Sequence, residues 1–266
     1  MKILCLNGWG GKLYDKLLPY LNLTSPDILC LQEVVHSPAT NKDWLNYRDG
    51  DHVLPQRANF FRDVALALPD HSAIFCPAAQ GVLWDENTQV PSQWGLATFI
   101  RKSFPVIAQI QDFVHKTYSS NGYGEHPRSR NAHAIRVFDY EKNRPVCVAH
   151  MHGLRDPRGK MDTPERAEQA RKFVSIATRI VESNDLLIAC GDFNVEPESE
   201  TLKILSEAGL TDLVTTRTQK GTRSSYYKKP GRYADYMLVN THVNVLDFNV
   251  VFEPEVSDHC PLVLEI

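Results

Sequence analysis

The chain has 266 residues, of which 42% are hydrophobic and 23% are charged, and its formal net charge at pH 7 is −3. These values are typical of a globular protein with a sizeable core. They exclude a uniformly basic surface of the kind that binds nucleic acid, although Lys and Arg are concentrated locally in 128–136 and 217–232. No apolar run approaches the ~20 residues that span a bilayer, so we expect no contact with a membrane.

Five of the six cysteines lie in or beside apolar runs, where a free thiol behaves as a small hydrophobic group. No CxxC spacing is present, so the pattern does not indicate a zinc site. We expect all six thiols to be free. The sequence starts with a strand-like run and shows no signal-peptide region before it, which favours a cytoplasmic protein. We also expect a monomer.

Short apolar runs alternate with helical patterns along the chain. The patterns predict strands at 3–7, 28–31, 72–75, 96–100, 132–138, 145–152, 186–190, 236–239, 243–251 and 262–266, and helices at 12–21, 59–68, 164–182 and 200–207. The segments 43–57 and 116–130 read as long loops, and 78–93 contains no clear element. Strands outnumber helices, which favours one α/β domain over residues 1–266, built from two packed sheets with helices outside them.

The third predicted helix has the clearest ends. Thr163 can cap its N-terminus, and Pro164 and Glu165 suit its first turn. Gly209 is a typical stop signal for the fourth helix.

Acidic or amide side chains stand where three predicted strands end. Asn7 ends the first strand, Glu33 follows the second, and Asp192 and Asn194 follow the strand at 186–190, where Gly191 allows a sharp turn. Carboxylates gathered at one rim of a sheet repel one another unless a hard cation neutralises them. Mg²⁺ suits such oxygen-rich sites and is usually held by one or two carboxylates and a substrate phosphate. The sequence therefore predicts a metal-dependent enzyme acting on a phosphate ester.

Each of these residues also has a structural interpretation. Asp192 and Asn194 are of types that form turns, and a Glu at the end of a strand commonly lies in solvent. Both interpretations stay open for Glu33 and for the Asp192–Asn194 pair.

Histidines and further carboxylates precede or end other strands. Asp258 and His259 come before the last strand, and Asp235 stands at the entrance of another. A carboxylate bonded to an imidazole fixes its tautomer and favours its protonated form, so we expect a charged His259 beside Asp235. His150 and His152 share one face at the end of the strand at 145–152, because side chains alternate along a strand. Either of them can reach a phosphate.

Six motifs in this order resemble the endonuclease/exonuclease/phosphatase superfamily. They are Asn7, Gln32-Glu33, a strand ending in His, Gly191-Asp192-Phe193-Asn194, Asp235-Tyr236 and Ser257-Asp258-His259. The resemblance extends from residue 7 to residue 261. It implies a four-layer α/β sandwich of two packed mixed β-sheets flanked by helices. It also implies hydrolysis of phosphate esters with Mg²⁺ or Mn²⁺.

The resemblance assigns roles by position. Glu33 is similar to the metal-binding glutamate, with Asn7 and Asp258 beside the metal. Asp192 resembles the residue that aligns or deprotonates the attacking water, with Asn194 next to it. His259 resembles the histidine that contacts the phosphate, and Asp235 resembles the carboxylate paired with it. The family's middle histidine falls on His150 or His152, and His152-Gly153-Leu154 is the more similar to bacterial members.

The substrate is less well defined by the sequence. Four residues are candidate contacts to a phosphate or substrate, namely His150, Arg130, Asn131 and Arg223. A phosphodiesterase or nuclease is the first hypothesis. The alternatives are a phosphatase or lipid-type phosphodiesterase acting on a small phosphorylated molecule, and a non-catalytic binding module. A basic groove with stacking aromatic side chains indicates nucleic acid, whereas a closed pocket indicates a small substrate.

Overall fold

The computed structural model describes residues 1–218 and 220–266. Within these residues the elements follow one another as β1 (Lys2–Asn7), α1 (Tyr14–Thr24), β2 (Ile28–His36), β3 (Trp44–Asp49), β4 (His52–Arg57), α2 (Phe60–Ala67), β5 (His71–Asp85), β6 (Thr88–Arg101), β7 (Val106–His115), β8 (Arg130–Asp139), β9 (Arg144–His152), α3 (Pro164–Thr178), β10 (Leu186–Asp192), α4 (Glu200–Glu207), β11 (Thr211–Asp212), α5 (Val214–Arg217), β12 (Asp235–Val239), β13 (Asp247–Val250) and β14 (Leu262–Glu265). A short 3₁₀ turn at Trp9–Gly11 follows β1.

The strands form two mixed sheets. The first has the order β13-β14-β1-β2-β6-β5-β3-β4, and the second has the order β11-β12-β10-β9-β8-β7. One pair of neighbours in each sheet is parallel, β1 with β2 and β9 with β10, and the other neighbouring pairs are antiparallel. Each parallel pair directs two strand ends to the same edge of its sheet, and this arrangement positions the site described below.

Apolar side chains hold the layers together. Buried residues of both sheets form one continuous core, in which Ile3 and Cys5 of β1 belong to the same cluster as Val148 of β9 and Ile188 of β10. A second cluster packs α1 and α2 against the outer face of the first sheet. Helices α3 and α4 pack on the second sheet through side chains such as Phe173. The result is the four-layer sandwich that the sequence predicted.

The predicted helix signals are confirmed. The Thr163 hydroxyl accepts a hydrogen bond from the backbone N–H of Arg166, with Pro164 at the first position of α3. Gly209 follows α4 with a φ of 85°, the left-handed conformation that glycine tolerates. The predicted extension of α3 to residue 182 is wrong, because the helix ends at Thr178.

Two predicted irregular segments are strands instead. The segment 43–57 is the β3–β4 hairpin, and 78–93 belongs to the long β5–β6 hairpin. Pro77 and Gly81 are residues typical of loops, so the sequence pattern did not indicate the second hairpin. In the structure the pairing of β5 with β6 shifts its register between Pro77 and Ala79, and this shift accommodates the proline within the sheet. Strand β7 was also missed. The predicted strand at 243–251 is shorter and covers Asp247–Val250.

All six cysteines are buried and unpaired, as predicted. Burial raises the pKa of the Cys76 thiol to about 12, which makes it unreactive at neutral pH. Among the described residues no helix has both the length and the apolar character that crossing a membrane requires.

Candidate active site

The ends of four strands, β1, β9, β10 and β12, meet the bulged part of a fifth, β2, at one edge of the sandwich. In the first sheet Asn7 pairs with Gln32, next to Glu33. In the second sheet Asp192 lies between His152 and Asp235. The amide Nδ2 of Asn7 donates a hydrogen bond of 3.0 Å to Oδ2 of Asp192, which links the two sheets at the site. The packing of the two sheets therefore brings into contact residues that are 185 positions apart.

Glu33 is displaced from the regular ladder of β2. Its φ is 55°, and the pairing of β2 with β6 shifts between Leu31 and Val34. This bulge turns the carboxylate toward the cavity, where 27% of the side chain is exposed. Burial raises the pKa of Glu33, an interaction with Asn7 opposes the shift, and the negative charge of Asp192 adds to it. A neighbouring cation would reverse this shift.

Asp192 is buried at the centre of the site. Its Oδ1 accepts the backbone N–H of Asn194 at 3.0 Å, and its Oδ2 accepts the Asn7 amide. Nε2 of His152 and Nε2 of His259 each lie 3.6 Å from Oδ2. Hydrogen bonds thus fix the orientation of the carboxylate, while one of its oxygens faces two imidazoles.

The second carboxylate, Asp235, is paired with His259. Nδ1 of His259 lies 2.8 Å from both oxygens of Asp235, and Oδ2 also accepts the hydroxyl of Thr222 at 2.8 Å. The His259–Asp235 contact agrees with the predicted pairing. Thr222 carried no sequence signal that marked it for this role.

The surroundings of His259 oppose the positive charge predicted for its imidazole. The guanidinium Nη1 of Arg223 contacts Nε2 of His259, so this nitrogen accepts and the proton lies on Nδ1, facing Asp235. Burial lowers the pKa of His259 to about 4, and the positive charge of Arg223 contributes. The fixed positive charge at this position therefore belongs to Arg223.

Asp258 and Glu33 have the properties of cation ligands. Arg223 donates to Oδ2 of Asp258 at 3.0 Å, but the buried Oδ1 has no hydrogen-bond partner. A buried carboxylate oxygen without a donor is costly unless a cation or water satisfies it. Glu33, Asp258 and the Asn7 amide supply hard oxygen atoms, so the residues present fit Mg²⁺ or Mn²⁺.

A different trio also has clustered ligand atoms. Asp192, Asp235 and His259 each contribute one potential ligand atom, and these three atoms lie within 4.8 Å of one another. Asp235 and His259 already satisfy each other through Nδ1, which leaves them less available to a cation. The oxygen set around Glu33 is therefore the better candidate for a cation site.

The structure separates the two candidate histidines. His152 lies at the rim near Asp192 and Glu33, and its ring packs against Trp94 at a centroid distance of 5.3 Å. His150 lies two residues earlier on the same face of β9 and is buried between the two sheets. Its Nδ1 contacts Gln32 at 3.2 Å and its Nε2 contacts Thr98 at 2.8 Å. With both ring nitrogens engaged in the core, His150 does not reach the cavity.

The other three candidate substrate contacts lie at different distances from the site. Arg223 lies in the site. Arg130 lies beneath it, with its guanidinium over the Trp94 ring at 4.9 Å. Asn131 does not reach the site, because its amide donates to the carbonyl of Cys76 at 2.9 Å in the interior.

A cavity of about 510 Å³ opens above these groups. Sequence reasoning did not single out several residues of its lining, namely Trp9, Arg155, Lys160, Tyr226, Tyr227, Lys228 and Lys229. Six of its lining residues are lysines or arginines, counting Arg166 and Arg223. Three of them lie in the basic segment 217–232 noted in the sequence, although the whole chain has a net charge of −3.

Gly191 is required by packing rather than by a turn. It lies inside β10 with a φ of 141°, and a Cβ at this position would stand 2.1 Å from the carbonyl oxygen of Met151 on β9. The predicted sharp turn is therefore wrong. The residue lets two strands approach closely beside Asp192.

We predict that Gly191→Ala destabilises the protein by about 3 kcal/mol, the sum of backbone strain and overlap with the neighbouring strand. Gly209→Ala is the matched control, since it has a positive φ but open space around the added Cβ. It is expected to cost about 1 kcal/mol. Urea unfolding of both variants measures the difference, and equal losses would show that the close approach to Met151 is unimportant.

Comparisons with known proteins identify the family of the chain. The model of the Endonuclease/Exonuclease/phosphatase family matches residues 5–259. A search of curated protein sequences found no significant match.

Solved structures share the fold over the full length of the chain. A mannosyl-6-phosphatase of Bacteroides thetaiotaomicron superimposes with a TM-score of 0.70 at 15% identity, covering 100% of this chain and 98% of the other. The catalytic domain of human Nocturnin gives a TM-score of 0.66 at 19% identity, with coverage of 99% and 93%. TDP2 of D. rerio, complexed with single-strand DNA product, gives 0.65 at 14% identity, with coverage of 99% and 97%.

The family model spans nearly the whole chain, and the sandwich carries the expected polar residues at one edge. The chain therefore belongs to the endonuclease/exonuclease/phosphatase family of phosphoester hydrolases. This confirms the resemblance seen in the sequence.

Proposed function

We propose that this protein is a hydrolase of phosphate esters that depends on Mg²⁺ or Mn²⁺ and uses Asp192 to activate a water. The observation that supports it most directly is the environment of Asp192, a buried carboxylate held by Asn7 and Asn194 with one oxygen facing two imidazoles. Glu33, Asp258 and Asn7 would hold the cation. When bound, the cation supplies Lewis-acid stabilisation of the charge on the phosphate.

The side chains then act as follows. Asp192 orients the attacking water and accepts its proton, because hydrogen bonds fix the carboxylate in one orientation. Arg223 lines the cavity on one side of Asp192 and binds phosphate oxygens. His259 binds them as well once the negative charge of the phosphate favours its protonated form and Nε2 donates to the phosphate instead of accepting from Arg223. His152 lies on the other side of Asp192 and also binds phosphate oxygens. Asp235 and Thr222 orient the imidazole of His259. Donors held in place before the reaction stabilise charge as it develops.

The cavity favours a small phosphorylated molecule as the substrate. Its volume of about 510 Å³ falls within the range of small-molecule sites. On the side of the β3–β4 hairpin it leads into a smaller cavity walled by Tyr47, Trp94 and Tyr123. This wall closes the cleft, whereas a nucleic-acid strand needs a groove that continues past the site.

One observation favours the second candidate, a nuclease acting on single strands. The rings of Trp9 and Tyr226 stand 6.0 Å apart on the opposite side of the cavity, with the Lys12 ammonium over Trp9 at 4.1 Å. Aromatic rings next to cations are typical of platforms on which bases stack.

A substrate panel tests these alternatives. It comprises plasmid DNA, an abasic oligonucleotide, bis-p-nitrophenyl phosphate, p-nitrophenyl phosphate and small phosphomonoesters, each assayed with Mg²⁺, with Mn²⁺ and with excess chelator. We expect metal-dependent hydrolysis with the highest kcat/KM on small phosphomonoesters. Preference for an oligonucleotide would support the nuclease, and no hydrolysis of any phosphate ester would refute the proposal.

A further inference from the structure

A second cavity adjoins the active-site cavity beneath the β3–β4 hairpin. Its volume is about 100 Å³. Four residues line both cavities, namely Glu33, His52, Leu54 and Arg155. Because one water centre needs about 10–15 Å³ of such space, the smaller cavity has room for a group of several heavy atoms. It is connected to the site through Glu33.

The lining of the smaller cavity is strongly cationic. It includes Arg128, Arg130 and Arg155, and within the described residues its single carboxylate is that of Glu33. Glu33 is a proposed ligand of the divalent cation, so its charge is offset when the cation is bound. An excess of positive charge in an enclosed space attracts anions, and it contrasts with the net charge of −3 for the chain.

Arg130 has a free donor although it is buried. Its Nε donates to the carbonyl of Gly153 at 2.8 Å, and its Nη1 donates to the carbonyl of Ser129 at 3.2 Å. Its Nη2 has no hydrogen-bond partner among residues 1–218 and 220–266. Burial lowers the pKa of Arg130 to about 10, so the guanidinium keeps its charge at neutral pH.

The other two arginines are also incompletely neutralised. Arg155 is exposed and forms no ion pair with any residue that the structure describes. Arg128 pairs with Asp49 at 3.1 Å, but half of the Asp49 side chain is exposed to solvent. Burial lowers the pKa of His126, and the positive charges of Arg128, Arg155 and Arg130 lower it further. All three guanidinium groups thus lie near one imidazole.

The aromatic walls do not form a free stacking platform. The Arg128 guanidinium lies over Tyr47 at 5.5 Å and over Tyr123 at 6.0 Å, and that of Arg130 lies over Trp94. A base would have to compete with these cations for the rings. The donor-rich surface suits a small anionic group better than a nucleobase.

We propose that this arginine-lined cavity binds a second anionic group, a phosphate or a carboxylate, of the substrate whose reacting phosphate lies at Asp192. The inference rests on the function proposed above and narrows it. The substrate is a small phosphate ester with a further anionic group at its other end.

Phosphate binding to the metal-free protein tests the cavity without relying on turnover. The protein in excess chelator is titrated with inorganic phosphate and, separately, with acetate, while the Nε–H resonances of its arginines are followed by NMR. We expect saturable shifts of Arg128, Arg130 and Arg155. Arg155→Gln should raise the Kd for phosphate about tenfold, as expected for the loss of one hydrogen bond to a charged group. Saturation by acetate as well would indicate that a carboxylate also fits.

Arg158→Gln is the matched control. Arg158 is an exposed arginine of the same loop whose guanidinium pairs with Asp156 at 2.7 Å, and it lines neither cavity. Its substitution should leave the Kd unchanged. Shifts that do not saturate with either anion, or a Kd that Arg155→Gln leaves unchanged, would overturn the proposal.

The two proposals fail separately. Saturable phosphate binding without hydrolysis of any phosphate ester in Mg²⁺ would support the anion site and refute the proposed hydrolase activity. Hydrolysis without saturable phosphate binding would support the hydrolase activity and refute the anion site. In the active enzyme, 3-phosphoglycerate and 2,3-bisphosphoglycerate should have at least tenfold higher kcat/KM than glycerol 3-phosphate, and equal values would overturn the assignment of the cavity to the substrate.

Discussion

Asp192→Asn is expected to lower kcat about 10³- to 10⁴-fold while the protein stays folded. An amide of the same shape can still accept a hydrogen bond but cannot take a proton from water. General-base catalysis is commonly worth 10²- to 10⁴-fold, and hydrogen bonds from Asn7 and Asn194 hold the Asp192 carboxylate in one orientation. Steady-state rates on the best substrate of the panel measure the loss.

The control for this prediction is Asp247→Asn at the surface strand β13. It should keep the wild-type kcat. Circular dichroism and urea unfolding establish that the Asp192→Asn protein is folded. If the folded variant retained more than a tenth of the wild-type kcat, Asp192 would have only a structural role at the end of its strand.

His259 and Asp235 are expected to act as one unit, although 23 residues separate them in the chain. Nδ1 of His259 is bonded to Asp235, so removal of the imidazole leaves the carboxylate with nothing to orient. Groups placed where charge develops are often worth a hundred- to thousandfold in rate, and residues that act as a unit are non-additive. His259→Ala and the double variant His259→Ala/Asp235→Ala should therefore be almost equally slow.

Rates of the wild type, both single variants and the double variant decide this prediction, with exposed His242→Ala as the control that should be unchanged. Independent roles would instead make the double variant slower by the product of the two single effects. A folded His259→Ala protein with more than about a tenth of the wild-type kcat would contradict the assignment.

The polar residues of the site were predictable because they stand at the ends of apolar runs. Asn7, Glu33 and Asp192 each follow a segment whose burial was evident from composition, and parallel strands bring such ends to one edge. The sequence could not show the bulge that turns Glu33 toward the cavity. That displacement depends on pairing with β6, a strand more than fifty residues later.

Other features depend on contacts that no local pattern encodes. Thr222 reaches Asp235 because the segment before β12 folds back, and Arg223 forms an isolated bridge with His259, 36 residues away. The sequence also could not show that the guanidinium of Arg223, from a distant segment, opposes the positive charge predicted for His259. The alternation of side chains along β9 places His150 and His152 on the same face. Only the packing of the two sheets shows that His150 is in the core and His152 at the rim of the cavity.

The dependence of activity on Mg²⁺, measured for the wild type and for Glu33→Gln, tests the central claim most directly. We expect no hydrolysis in excess chelator and full recovery on addition of Mg²⁺. Glu33→Gln should need at least about tenfold more Mg²⁺ for half-maximal activity, because it removes a charged ligand, whereas Glu207→Gln at the exposed end of α4 should match the wild type. Full activity of the wild type in excess chelator would contradict the account.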